Sequence, residues 1–138
     1  VCSINNSHKN AIEELLVIYQ YNAQLARRMN PSLTFELKKY FPESWQLLEE
    51  FKTEFIYDSV IHNLKNGIEK KLYRTDMDVV VIAKLYSVRI LDIFNTDLFP
   101  PELYPTSTVL GELFKYHVRG IASEEGLKYF QDNIRAEL

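Results

Sequence analysis

Between residues 43 and 73 the chain contains no proline and a single glycine, Gly67. Apolar residues return there every three or four positions, at Trp45, Leu48, Phe51, Phe55, Val60, Ile61, Leu64, Ile68 and Leu72. This spacing predicts one helix, which at about 1.5 Å per residue would span roughly 45 Å. In a chain of 138 residues such a rod dictates the architecture, because every other element must find its place along it.

The flanking segments read as helices too. Over residues 8–29, Ile12, Leu15, Leu16, Tyr19, Ala23, Ala26 and Met29 form one stripe. Asn30-Pro31 is a stop and restart, since Asn caps and Pro suits the first helical position. It opens a short helix over 31–40, which Pro42 ends. Thr75-Asp76-Met77-Asp78 signals another start. The helix it announces, residues 78–95, is apolar on two sides. Val79, Ile82, Ala83, Tyr86, Ile90, Ile93 and Phe94 form one face, and Val81, Leu85 and Val88 form a second. A helix of that kind is usually buried on both sides. Residues 96–105 hold three of the five prolines and form a loop. A further helix is expected over 106–121, with its polar residues confined to Thr108, Glu112, Lys115 and Arg119. Ser123, followed by Glu124 and Glu125, caps a last helix to the C-terminus. Strand-length alternation is missing, so the expectation is an all-α fold of six or seven helices in a single domain.

Composition excludes several classes. The longest apolar runs reach five residues, where a membrane span needs about 18. Cys2 is the sole cysteine, so a disulfide scaffold is ruled out, and its free thiol fits a reducing, cytoplasmic compartment. A formal charge of −3, from 16 Lys plus Arg against 19 Asp plus Glu, leaves no basic face for nucleic acid. The chain opens Val-Cys-Ser-Ile, without an initiator Met, and is expected to be part of a longer protein.

Catalytic signatures are missing. The histidines, His8, His62 and His117, stand on different predicted helices, and none belongs to a His-x₃-His or Glu-x-x-His unit. Four isolated glycines cannot build a nucleotide loop. Ser59 and His62, three apart on one helix, are the nearest approach to a nucleophile–base pair. The expectation is therefore no enzyme, no metal and no cofactor. Tyr19, Tyr57, Tyr86 and Tyr116 fall on or beside apolar faces, as do core tyrosines and the hydroxyl-bearing walls of small-molecule cavities alike.

Gly67-Ile-Glu-Lys-Lys-Leu-Tyr73-Arg74-Thr-Asp76-Met-Asp78 resembles a junction in the C-terminal domains of tetracycline-repressor-type (TetR/AcrR) transcriptional regulators. There a Gly, an aromatic-Arg pair and an Asp-x-Asp precede the first dimerisation helix. The stretch from Asn30-Pro31-Ser-Leu through Glu36-Leu-Lys38-Lys-Tyr40-Phe41-Pro42-Glu-Ser-Trp45 is similar to the segment before the long helix in one branch, mostly of Bacteroidetes-like bacteria. Arg119-Gly120-Ile121-Ala122-Ser123 with Gly126 is similar to that branch's terminal turn. One departure is Lys71, where many relatives carry a second Gly.

The resemblance implies a regulatory domain without its N-terminal helix-turn-helix reader, so that DNA would be met only through that missing domain. It implies a small, largely apolar effector and a homodimer joined by a four-helix bundle, two helices from each subunit. The expected cavity residues are Tyr19, Trp45, Phe55, Tyr57, His62 and Tyr86. The expected dimer residues are Val81, Leu85, Val88, Leu110, Phe114, His117 and Val118, on the two helices richest in apolar surface. The competing reading is a helical dimerisation or interaction module that holds no ligand; a third, a bundle enzyme, would need a bound metal.

Overall fold

A computed structural model describes residues 9–28 and 30–134. Cys2, His8, Met29 and the last four residues lie outside this set. The fold is all-α: α1 (Ala11–Arg28), α2 (Pro31–Tyr40), α3 (Pro42–Glu69), α4 (Val79–Ile93), α5 (Thr106–Ile121) and α6 (Glu124–Asn133). An isolated bridge between Tyr73 and Ala122 is the sole β pairing among the described residues.

Local chemistry sets most of the helix starts. Asn10 Oδ1 accepts from the Glu13 amide at 3.0 Å and so opens α1 at Ala11. Asn30 Oδ1 accepts from Ser32 at 3.0 Å, and Pro31 follows in the first turn of α2. Phe41 closes α2 through Leu37 O and opens α3 through the Trp45 amide, so one residue separates the two helices. Asp78 caps α4 through Val81, and Ser123 caps α6 through Gly126.

The rod is shorter than expected, ending at Glu69 instead of Tyr73. Lys71 takes a left-handed φ of 62°, and the amides of Leu72 and Tyr73 both reach back to Gly67 O at 2.9 and 3.1 Å. The chain thereby turns Tyr73 inward over Gly67. A Cβ on Gly67 would lie 2.0 Å from the Tyr73 ring, so the missing side chain is what admits the aromatic. The Tyr73 hydroxyl donates to Asn63 Oδ1 at 2.7 Å. Asn63 Nδ2 in turn donates to Ala11 O at 2.9 Å and Glu14 Oε1 at 3.2 Å. These bonds satisfy a fully buried amide and tie α1 to α3. Burial pushes the Tyr73 hydroxyl pKa upward, so the phenol stays protonated and donates.

A second clasp joins this turn to the chain after α5. Arg74 N donates to Ile121 O at 2.8 Å, Ser123 N to Leu72 O at 2.9 Å, and Ser123 Oγ to Lys71 O at 2.7 Å. Gly126 sits against the Leu72 carbonyl, where a Cβ would come within 1.9 Å of the oxygen. The junction residues therefore each act locally. Gly67 admits Tyr73, Arg74 forks onto Asp76 at 2.7 and 2.8 Å, and Asp78 caps α4.

The core gathers around this clasp. The buried residues of α1 are its first ones, Ala11, Ile12, Leu15 and Leu16, whereas those of α3 lie near its end, at Val60, Asn63, Leu64 and Gly67. α4 packs along α3, and α5 covers α1 and α4. Phe114 on α5 stacks with Tyr19 at 5.1 Å and meets Phe130 of α6 at 6.0 Å.

Candidate functional site

The two faces of α4 divide as their sequence pattern indicates. Ala83, Tyr86, Ser87, Ile90 and Ile93 are buried. Val81, Leu85 and Val88, one turn apart on the opposite side, are 50%, 54% and 41% exposed. α5 divides differently from expectation. Leu110, Phe114, His117 and Val118 are at most 8% exposed, because α5 lays its apolar face against α1 and α4 of its own chain. These four side chains, expected at a partner surface, are covered within the single chain. The part of α5 that faces outward carries Thr108, Glu112, Tyr116 and Arg119, and Tyr116 is 80% exposed. Its sequence signal was its place in the polar strip, four residues after Glu112 and three before Arg119.

His117 is held between α4 and α5 with its ring 4.2 Å from that of Tyr86. Its Nε2 has no hydrogen-bond partner among the described residues. Burial pushes its pKa down to about 4, so the imidazole is neutral at pH 7. The Tyr86 hydroxyl, buried beside it, is pushed up to about 12 for the same reason.

The six expected cavity residues do not converge. Tyr86 belongs to the core, and Tyr19 is half-buried in the stack with Phe114. Trp45 is half-buried beneath two ammonium groups, Lys38 and Lys52, each 5.9 Å from its ring. Tyr57 is half-buried, while Phe55 and His62 are exposed. Phe55 and His62 lie a full two turns apart on the side of α3 turned away from Val60 and Leu64. Two shallow clefts are the best formed. One, of about 360 Å³, runs between α1 and α6 past Lys9, Glu13, Gln20, Tyr129 and Asn133. The other, of about 320 Å³, lies between Tyr19 and the first turns of α5. Of the six residues, Tyr19 alone lines either cleft. Helical projection could not foresee this, because core and cavity wall draw on the same side chains.

The chain matches no protein-family model, no curated protein and no solved structure.

Catalytic groups are equally scattered. No three His, Cys, Asp or Glu side chains gather for a metal ion among the described residues. The Ser59 hydroxyl donates to Phe55 O at 2.9 Å, within its own helix, and not to His62. No helix among the described residues is long and apolar enough to cross a membrane.

Proposed function

We propose that this chain is the regulatory and dimerisation domain of a TetR-type bacterial transcriptional regulator, acting as a repressor in the cytoplasm. The observation that carries the reading is the open apolar ladder Val81, Leu85 and Val88 on α4, the helix that follows the junction motif. A buried helix face opposite an exposed apolar one fits an isologous two-fold contact. The left-handed φ of Lys71 lends support from another side. It stands where many of the resembling proteins carry Gly, the residue this conformation favours.

In this reading operator contacts belong to a helix-turn-helix domain outside these 138 residues. A small, largely apolar effector would enter among α1, α2 and α3 and favour one arrangement of α1. Its leverage is its differential affinity for the two arrangements, typically about 1–3 kcal/mol. Sedimentation at tens of micromolar tests the dimer: the wild type runs as a dimer and Leu85→Asp as a monomer. A monomeric wild type defeats the proposal.

A second reading, a helical dimerisation module without a ligand, is favoured by one observation. Phe55 and His62 face outward, and the remaining candidates share no common hollow. Thermal shifts against a library of apolar compounds separate the two, since the regulator responds to some members and the module to none.

A further inference from the structure

α3 carries an apolar stripe that the α4 dimer contact does not use. On its outer side Leu47, Phe51 and Phe55, spaced four residues apart, are 67%, 68% and 66% exposed. They point away from the inward face of Val60, Asn63 and Leu64. The helix thus carries two apolar stripes, an inward one in its C-terminal half and this outer one in its N-terminal half, where Gln46, Glu49 and Thr53 continue the line of the inward face. A solvated helix keeps its outer side polar, so the second stripe has no role in the fold of the single chain.

The border of the stripe tells what fits it. Projected at about 100° per residue, Glu43, Glu50 and Glu54 fall along one edge, and Asp58 closes its C-terminal end. All four are exposed, and none has a Lys or Arg within salt-bridge reach among the described residues. We infer that the outer stripe of α3 is a docking surface for a basic amphipathic helix, whose apolar ridge covers Leu47, Phe51 and Phe55 while its Lys or Arg edge faces Glu43, Glu50 and Glu54.

Size and charge oppose the other occupants. Leu47, Phe51 and Phe55, with the less exposed Leu48 beside them, offer on the order of 400–500 Å² of apolar surface, the footprint of a short helix. A stable two-subunit contact takes about 800 Å² from each partner. An antiparallel two-fold pairing of α3 with a second copy would also set acidic edge beside acidic edge, and like charges there are unfavourable. Anionic lipid is repelled by the same edge.

The test uses the full chain and three labelled synthetic peptides, read by fluorescence anisotropy. One is a helix with a leucine ridge and lysine edges, the second has the same ridge with glutamate edges, and the third is a scrambled lysine peptide of equal charge. The lysine-edged helix binds at least about tenfold more tightly than either comparison, and raising salt narrows the gap to the glutamate form. Phe51→Asp, with helix content checked by circular dichroism, weakens binding about tenfold or more. The pair Glu50→Lys with Glu54→Lys reverses the preference between lysine and glutamate edges. Leu85→Asp, which tests the α4 contact, leaves the peptide affinity within about twofold. Equal binding of all three peptides overturns the inference, as does no binding, indifference to Phe51→Asp, or loss of binding with Leu85→Asp. If Phe51→Asp dissociates an assembly of the wild-type chain, a second copy covers the stripe and the inference is also overturned.

Discussion

The two ends of α3 obey opposite rules. Around its last three turns the chain is stitched to itself: Gly67 lies under Tyr73, Asn63 bonds across to α1, and α6 is clasped to residues 71–74. Around its first turns lie α2, the end of α1 and a row of open side chains, among them Tyr21, Leu25, Phe35, Tyr40, Phe41 and Phe51. Both ends are rich in aromatics, so composition does not distinguish them. The difference is whether a neighbouring backbone comes close enough to cover the rings. At the stitched end two glycines permit that approach; at the open end α2 meets α3 across the single residue Phe41 and leaves the outer face free. Stability therefore resides at one end, and the exposed apolar side chains at the other and along α4.

The largest effect should come from the closest approach. Gly126→Ala forces a methyl onto the Leu72 carbonyl, a backbone atom that cannot swing aside, and should cost at least about 3 kcal/mol. A fall in the urea midpoint with unchanged slope reports it. A neutral result would mean that the clasp is looser than its hydrogen bonds indicate, and the contrast between the two ends would fail.

His117 belongs to the stitched half and provides a pH-dependent test. In the unfolded chain its imidazole takes a proton near pH 6.5, but in the folded chain not until about pH 4. Protonation therefore favours the unfolded state. The contribution of the neutral side chain is complete above about pH 6.5 and is lost as pH falls toward 4, reaching on the order of 3 kcal/mol. His117→Phe keeps an aromatic against Tyr86 and removes the titration. The stability of this variant relative to wild type should rise steadily from pH 7 to pH 4. Parallel profiles would show that His117 finds a hydrogen-bond partner in solution.

Much of this arrangement was legible in the sequence, and the parts that were not share a cause. Asn30, Pro31, Pro42, Asp78 and Ser123 act within a few residues of themselves, so the helix starts they set could be read directly. The two faces of α4 were legible because its polar residues separate them. The end of α3 was not, since Lys70, Lys71, Leu72 and Tyr73 are acceptable in a helix. The chain turns there because Tyr73 gains a place over Gly67 and a bond to Asn63, contacts that exist only in the folded chain. The same reason limits what the sequence says of the cavity list and the α5 half of the dimer list: apolar periodicity shows that a face is covered, but not what covers it.

Lys71 tests the junction from a milder direction. A non-glycine residue at φ 62° carries a conformational cost, and the carbonyl of Lys71, not its exposed side chain, holds Ser123. Lys71→Gly should stabilise the chain by up to about 1 kcal/mol. A loss instead would show that the Lys71 side chain makes a contact of its own, and would weaken the support that the backbone lends to the TetR-type reading.

The smallest expected effect compares one device used at both ends. Ser123 and Asn30 each cap a helix through a side-chain oxygen, at 3.1 and 3.0 Å from the nearest amide they serve. Replacing such a cap by Ala costs about 1 kcal/mol in the helix concerned. At Ser123 that helix is clasped to the core, and the same hydroxyl holds Lys71 O, so Ser123→Ala should lower global stability by at least this amount. At Asn30 the helix is α2, which bears no fully buried residue among those whose burial is described. α2 can fray while α3 and the core remain intact, because little apolar surface is lost when it does. Asn30→Ala should therefore accelerate amide exchange across residues 32–40 and leave the global urea midpoint almost unmoved. If the midpoint shifted as far as with Ser123→Ala, α2 would be coupled to the core, and the open end would have to be covered in solution by something that binds it.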